Sequence, residues 1–481
     1  MINLHAPENE THIQQVKAYI EHDPEPDYQH APEAAREAFM DLKYGVRIHW
    51  GLYTLWHLGH ESWPFLKMSG PKKQAYQQLY RSFNPAAFNA DQWMQLFQRA
   101  GLKCFAMTSK HHEGFSLFDT RTRVVRRINW SIPGRPQIEA CDLAYSVMDT
   151  PFKRDIIKEL CDAAHQHNIK IDLYFSHPDW YDADFRPYAF HPLQTPRVSQ
   201  YPEEYGAPDY LHDLQNTKHW EFPEPTSEET QHMIQRHRTQ LTELLTRYGK
   251  IDMVCLDQWM GKDVWPQVRE TIKLLRKIQP DVMLRIRGIG NYGDYYTPEG
   301  FVPGDKANTD MPWMVIYPLG RSFSYEPVAR FHKGAGWIIK NLISSVAKGG
   351  NFMVGIGPDE TGWFHPQAIE DLEGAGEWLK INGEAIYATR PFDPWHEGDE
   401  IFFTRSKDRR CVYALVTKWP GRTLRLASLK PQTGMKVTLL GSAAPLQWHT
   451  EEDYLVVDIP ATPRASRPCH YAYAFKFEFR V

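Results

Sequence analysis

The feature that most constrains the fold of this chain is an alternation of short apolar runs with amphipathic segments, repeated at least six times. The apolar runs cover residues 45–51, 104–108, 169–175, 253–256, 282–287 and 352–355. Between and after them, residues 91–100, 153–167, 226–248, 264–279, 334–347 and 366–381 carry the apolar spacing of a helix, for example Trp93, Leu96 and Phe97. Strands that stay apolar throughout are buried on both faces, and strands alternating with helices predict a parallel sheet. Such a sheet is either open and doubly wound or closed into a barrel. At least five of the runs end in polar or ionisable residues, namely His49, the His111/His112 pair, Tyr174, Asp257 and Arg287. An open sheet gathers its site at one switch point, whereas a closed barrel collects residues from strands all around its ring. The pattern therefore predicts a (β/α)8-like barrel.

At 481 residues the chain exceeds one barrel. After about residue 387 the periodicity changes to short strands at 400–404, 411–416, 423–426, 436–440, 454–458 and 472–479, separated by turn residues, which predicts a C-terminal antiparallel β-sandwich. The expected organisation is an N-terminal helical collar over 1–40, a barrel over 41–388 and a sandwich over 389–481. The collar would hold helical patches at 13–20 and 31–40.

Net charge is −4 and the isoelectric point about 6.6, which gives no general affinity for nucleic acid or anionic membranes. The six cysteines show no Cys-x-x-Cys spacing, so neither a disulfide framework nor a zinc site is expected. The N-terminus carries no basic-plus-apolar signal and no stretch reaches membrane-spanning length, which places the chain in the cytoplasm as written; a periplasmic or secreted location follows if a signal was removed. Self-association into a homo-oligomer is left open. Aromatic residues make up 13% of the chain, including 16 Trp and 24 Tyr; their faces stack on the C–H surfaces of sugar rings, although core packing accounts for most such residues.

The stretch Lys250 to Gly261 carries the central chemical signal. Its apolar run stops at a single carboxylate, Asp257, and an aromatic and polar turn follows. The plainer role of a strand-end Asp is to cap a turn. Here, though, Glu299 sits in a turn-rich loop after the next strand and so on the same face. Two carboxylates from neighbouring loops suit glycoside hydrolysis, one attacking the anomeric carbon and the other protonating the leaving oxygen. His49, His111 and His112 lack His-x-His or His-Glu-x-x-His spacing, so no metal and no cofactor is expected; neutral imidazoles serve sugar hydroxyls instead. Adjacent His111 and His112 are expected to splay apart. Arg287 either binds substrate or holds a carboxylate.

Several of these motifs resemble the α-L-fucosidases of glycoside hydrolase family 29 over nearly the whole chain. They are Arg47-Ile48-His49-Trp50-Gly51, Thr108 to Phe115 with its Lys-His-His core, Leu173-Tyr174-Phe175-Ser176 with Asp179-Trp180, the Asp257 loop, Thr297-Pro298-Glu299, and Asn341 to Pro358. The resemblance implies a barrel followed by a β-sandwich, a retaining mechanism with Asp257 as nucleophile, Glu299 as acid/base, and a terminal α-L-fucoside as substrate. It implies sugar contacts from His49, Glu61, Trp63, His111, His112, Tyr174 and Arg287, with Trp180 and Trp313 added from their motifs. Three departures bear on the sugar: Cys255-Leu256-Asp257-Gln258 replaces the family's Trp-Phe-Asp-Gly, Met314 stands where a carboxylate is common, and Ser322-Phe323-Ser324-Tyr325 replaces Ser-Trp-Gly-Tyr. Gln258 makes a related α-L-glycosidase, such as an α-L-galactosidase, one alternative, and Met314 a non-catalytic sugar-binding protein another. The polar stretch 185–224 is expected to shape the leaving-group side.

Overall fold

The computed structural model describes residues 3–132, 136–186, 188, 191–193, 223–298 and 309–479. Seven parallel strands form one curled sheet: β1 (Tyr44–Ile48), β2 (Cys104–Lys110), β5 (Lys170–Ser176), β6 (Met253–Asp257), β7 (Met283–Leu284), β8 (Met314–Pro318) and β9 (Asn351–Ile356). Their order is β7-β6-β5-β2-β1-β9-β8. Two single parallel bridges, Arg285 to Tyr295 and Tyr296 to Trp313, join the ends of that series through an eighth position, so the ring closes. The barrel is thus real, but one of its staves is only Tyr295-Tyr296.

Its helices flank the strands they connect. Between β1 and β2 lies α4 (Ala90–Arg99), whose Asn89 side chain accepts from the Gln92 amide. Then come α5 (Ile156–His167) before β5, α6 (Ser227–Thr246) before β6, α7 (Trp265–Ile278) before β7, α8 (Ala335–Ala347) before β9, and α9 (Pro366–Asn382) after it. Thr226 and Glu229 cap α6 reciprocally, satisfying two amides that would otherwise lack partners. Two shorter helices, α1 (Thr11–Val16) and α2 (Glu33–Leu42), precede β1, and α3 (Gly70–Gln77) follows it. A hairpin of β3 (Val124–Asn129) and β4 (Gln137–Leu143) stands outside the ring.

The weak stave is reinforced by the N-terminal segment. Gly290–Tyr292 is a short 3-10 turn, and residues 3–31 pack over it. Tyr28 Oη donates to Tyr292 O at 2.6 Å, Asn291 Oδ1 accepts from the Ala6 amide, and Asn291 Nδ2 donates to His22 O. Asp294, fully buried, ties the pieces together: it accepts from the Arg276 guanidinium at 2.5 Å, the Leu284 amide at 2.8 Å and the Ala31 amide at 2.9 Å. Burial disfavours its charge, but Arg276, His30 and the Leu284 amide together outweigh that and hold its carboxyl below the usual range. The collar is therefore part of the barrel wall.

Residues 282–287, expected as one strand, pair regularly only at Met283-Leu284. The Leu284 carbonyl turns to accept from Asp294 and Tyr295, and the chain beyond contributes Arg285 and Arg287 to the interior. β8 escaped prediction because prolines bracket it, Pro312 before and Pro318 at its end.

Inward-facing residues form layers. At the bottom, Phe39 and Leu42 of α2 pack with Cys104, Ala106, Met253, Met283, Met314 and Met353. Above them lies a polar layer in which Arg47 and Arg285 both donate to Cys255 Sγ, at 2.9 and 3.0 Å. At the top, the carboxyl ends of the strands open into a cavity.

The C-terminal residues form antiparallel sheets. One has the order β10 (Arg390–Glu397), β11 (Ile401–Arg405), β12 (Cys411–Val416), β18 (Tyr473–Glu478), β14 (Lys436–Leu439), β15 (Pro445–Leu446). The other has β13 (Thr423–Leu426), β17 (Tyr454–Asp458), β16 (Trp448–Glu451). Trp378 of α9 donates to Ala472 O at 2.8 Å and Thr404 to Ala385 O at 2.8 Å, which docks them on the barrel. All six cysteines are free. Among the described residues no helix is long and apolar enough to cross a membrane.

Removing Asp294 strands the buried Arg276 charge and releases both the collar and the weak stave. Asp294→Ala should lower the unfolding free energy by about 3–5 kcal/mol in urea denaturation; a loss below about 1 kcal/mol would show that the collar is not needed to close the ring.

Candidate active site

Parallel register brings the ends of β5, β6 and β7 side by side, with Ser176 opposite Asp257. Asp257 closes β6, 8% exposed at the floor of a cavity of about 650 Å³. Its Oδ1 accepts from Arg287 Nη1 at 2.7 Å and lies 3.6 Å from Arg285 Nη1. Its Oδ2 accepts from Tyr174 Oη at 2.7 Å and lies 3.7 Å from His112 Nε2. Burial opposes ionisation of this carboxyl. The guanidiniums of Arg287 and Arg285 outweigh it, with His112 and the Tyr174 hydroxyl adding to them, and hold Asp257 well below the usual carboxylate range. Asp257 is a buried, ionised and oriented carboxylate.

Three imidazoles stand near it. His49, His111 and Tyr174 form one aromatic group, with His111 stacked on Tyr174 at 5.5 Å and His49 at 5.7 Å from the Tyr174 ring. Burial lowers His49 and His111 well below the ordinary histidine value and brings His112 to about 4, so all three are neutral. A neutral ring offers one donor and one acceptor. His111 Nδ1 meets Ser62 Oγ at 2.5 Å, whereas His49 Nδ1 and both His112 nitrogens find no hydrogen-bond partner among the described residues. The adjacent pair does not splay as expected: the His111 and His112 rings lie 4.2 Å apart. His111 faces the cavity, while His112 turns back between Trp63, at 4.7 Å, and Trp180, at 5.2 Å.

Glu61 also lines the cavity, on a backbone with φ of 56°. Its Oε1 accepts from the Ser324 amide at 2.9 Å; burial raises its carboxyl to about 7, against the pull of the Ser324 and Phe323 amides. Phe323 covers Gly355 so closely that a Cβ there would come 2.4 Å from the ring, and in that way the phenyl reaches the cavity wall, 5.2 Å from His49. Gln258, the next residue after Asp257, lines the cavity with φ of 63° and a buried Oε1 that finds no hydrogen-bond partner among the described residues.

Of the residues singled out in the sequence, His49, Glu61, Trp63, His111, Tyr174, Asp257 and Arg287 line this one cavity. His112 and Trp180 stand behind it. Trp313 does not line it: its ring lies over Gly350, where a Cβ would meet the indole at 2.3 Å, so it packs at the foot of β8 instead. Glu299 lies outside the described residues, as does most of the stretch 185–224. The two clusters with metal-ligand geometry among the described residues, His5/His22/Asp23 and Asp182/Asp184/His232, are both outside the cavity, and Asp184 is already held by Arg126.

Other lining residues went unread. Thr11, His12 and Gln15 of α1 form part of the wall, as do Arg47, Arg285, Trp259 and Thr297. Glu10, 6% exposed at the head of α1, accepts from the His12 and Ile13 amides, and burial raises its carboxyl despite the nearby Arg287. The α1 contribution has no local signature. The arginines do: Arg47 and His49, Asp172 and Tyr174, Cys255 and Asp257, and Arg285 and Arg287 are all spaced by two, the period that puts side chains on one face of a strand.

Glu113 buttresses the turn after β1, accepting from the Leu52 amide at 3.1 Å and paired with Tyr76 Oη. Burial raises it to about 8, from an ordinary 4.5, so the fold favours its protonated form. That stabilisation is complete below about pH 4.5 and is lost as pH rises through 8, with Glu61 acting likewise through 7. Glu113→Gln should therefore lose less thermal stability than wild type between pH 5 and 8; parallel curves would refute the assignment.

The chain was compared with known proteins. Residues 10–384 match the family model described as Alpha-L-fucosidase, and residues 397–478 the one described as Alpha-L-fucosidase C-terminal domain. Tissue alpha-L-fucosidase of Homo sapiens is 28% identical over 467 residues, covering 91% of this chain and 88% of that protein. Plasma alpha-L-fucosidase of Homo sapiens is 27% identical over 464 residues, with 91% and 88% covered. Among solved structures, alpha-L-fucosidase isoenzyme 1 from Paenibacillus thiaminolyticus superposes with a TM-score of 0.74 at 24% identity, covering 93% of this chain and 99% of that one. A GH29 alpha-L-fucosidase from Bacteroides thetaiotaomicron, trapped as a covalent intermediate, gives 0.72 at 22%, covering 96% and 99%.

Proposed function

This chain belongs to the alpha-L-fucosidase family, and from that membership we propose that it is a retaining exo-glycosidase releasing terminal α-L-fucose from oligosaccharides or glycoconjugates, with Asp257 as nucleophile and Glu299 as acid/base. The observation that carries the reading is the ionised, buried Asp257 gripped by Arg287 and Tyr174 at the end of a barrel strand. A carboxylate pinned in this way is oriented to attack an anomeric carbon, and water exclusion strengthens its charge interactions.

The reaction proceeds in two displacements. Asp257 Oδ attacks the anomeric carbon as the Glu299 carboxyl protonates the departing glycosidic oxygen, so the C–O bond breaks as the ester bond forms. Glu299, now a carboxylate, then takes a proton from water, whose oxygen displaces Asp257 and restores the original configuration. During both steps the ring acquires oxocarbenium character, and the ionised Asp257 opposes that developing charge.

The sugar's hydroxyls are polar groups that a buried site must satisfy. The His49 imidazole and the carboxyl of Glu61, both lining the cavity, offer the complementary donors and acceptors, and leaving such groups unpaired would cost about 1–3 kcal/mol each. Phe323 and Trp63 supply apolar faces for the ring's C–H surface. The ionised nucleophile disfavours the reading as a mere sugar-binding protein, since binding alone does not require a carboxylate held down by two arginines.

Kinetics on 4-nitrophenyl α-L-fucoside and on a natural fucosyl oligosaccharide test the roles. Asp257→Ala should abolish turnover of both. In kcat/KM, which reports the first displacement, Glu299→Ala should lose about 10²–10⁴-fold on the oligosaccharide, whose leaving group needs a proton, and much less on the nitrophenyl glycoside, whose leaving group does not. Equal losses of kcat/KM on the two substrates would remove Glu299 from the acid/base role, and turnover surviving in Asp257→Ala would remove the nucleophile.

A further inference from the structure

The ends of β5 and β6 and the stretch past β7 carry Tyr174, Asp257 and Arg287, and one fully buried residue touches the backbone of two of them, one through its own amide and the other through its ring. His177, just past β5, donates its amide to Asp257 O at 3.0 Å and sets its Nε2 3.3 Å from Arg287 O. Its other nitrogen, Nδ1, lies 2.9 Å from Nε2 of His237 on α6, and the two rings stack at 5.2 Å with a 21° tilt. His237 is itself buried and packs edge-on to Phe175 at 5.7 Å.

The protons in this chain of contacts are fixed by elementary chemistry. A carbonyl only accepts, so the Arg287 oxygen requires a proton on His177 Nε2. Burial lowers His177 to about 4 and His237 well below the ordinary histidine value, so both rings are neutral and carry one N–H each. His177 Nδ1 is then bare and must accept, which puts the His237 proton on Nε2. The order is His237 Nε2–H to His177 Nδ1, and His177 Nε2–H to Arg287 O. Gly288 leaves room for it: with φ of 73°, a Cβ there would come 2.8 Å from the His177 ring and 2.5 Å from Gln258 O.

We propose that the His177–His237 pair is a positioning device for the nucleophile, a neutral clamp that sets the backbone of Asp257 against that of Arg287 and thereby the 2.7 Å contact between their side chains. Neither ring is among the residues lining the cavity, and the pair moves no proton. His177 acts on the strand ends, and His237 fixes the tautomer and ring plane of His177, as outer partners do for histidines that hold a metal. The inference rests on reading Asp257 as the nucleophile, but its structural half does not.

Two measurements on the full chain test it. With 15N-labelled histidine, the long-range 1H–15N spectrum should show one of the 22 His rings, identified by its loss in His177→Gln, as a pure Nε2–H tautomer, and His237→Leu should mix or reverse that tautomer. In kinetics on 4-nitrophenyl α-L-fucoside, His177→Leu should lower kcat about 10²-fold with KM within about threefold of wild type, the cost of a misplacement near 1 Å. His177→Gln, whose amide restores a donor to the Arg287 carbonyl, should recover most of that loss, and His237→Leu should fall between. A His177 Nδ1–H tautomer, a kcat in His177→Leu within about threefold of wild type, or Gln no better than Leu would each overturn the clamp. If wild type carries the expected tautomer yet hydrolyses no α-L-fucoside, the clamp stands and the functional reading fails.

Discussion

The structure depends on keeping one carboxylate ionised where burial disfavours it. Moving an isolated carboxylate out of water costs several kcal/mol even after the surroundings relax. Asp257 offsets that cost with Arg287 at 2.7 Å, Arg285 at 3.6 Å and the Tyr174 hydroxyl at 2.7 Å. The two guanidiniums come from the stretch just past β7 and the hydroxyl from β5, on either side of β6. Arg285 is shared with Cys255 one layer down, where Arg47 also donates, so the polar middle layer of the barrel supports the top one. The early end of β7 pairing belongs to the same requirement: beyond Leu284 the chain leaves the regular ladder and delivers two guanidiniums to the interior.

Around that anion the environments push titratable groups apart. Asp257 is held low by the arginines, while Glu61 and Glu113, with no guanidinium in contact among the described residues, are raised by burial to about 7 and 8. The histidines are driven to neutrality and so remain both donors and acceptors. Divergent environments for chemically similar groups are how one pocket assigns different roles to them. In this cavity Asp257 and its arginines carry permanent charge, while the imidazoles of His49 and His111 beside them are neutral at neutral pH.

Much of this was legible in the sequence, for a physical reason. β1, β2, β5, β6 and β9 are apolar because both faces are buried, and their terminal polar residues stand out against that background, which is why His49, Tyr174 and Asp257 could be picked from the sequence alone. The unread parts depend on distant chain. β8 is masked by flanking prolines, and the β3–β4 hairpin is half exposed, so its apolar signal is diluted. Trp313 was misplaced because only the absence of a side chain at Gly350 reveals where its indole goes. Thr11, His12 and Gln15 reach the cavity because the N-terminal segment folds back over the two-residue stave at Tyr295-Tyr296, a relation set by Asp294 and not by any local pattern. The link between His177 and His237, sixty residues apart, is invisible for the same reason.

The most direct test of the central claim is to treat the protein with 2-fluoro-fucosyl fluoride, whose fluorine slows release of a glycosyl-enzyme, then digest it and locate the added mass. The account predicts one 2-fluoro-fucosyl group per chain, carried on Asp257. A stable adduct on any other carboxylate, or hydrolysis that inverts the anomeric configuration with no adduct formed, would contradict it.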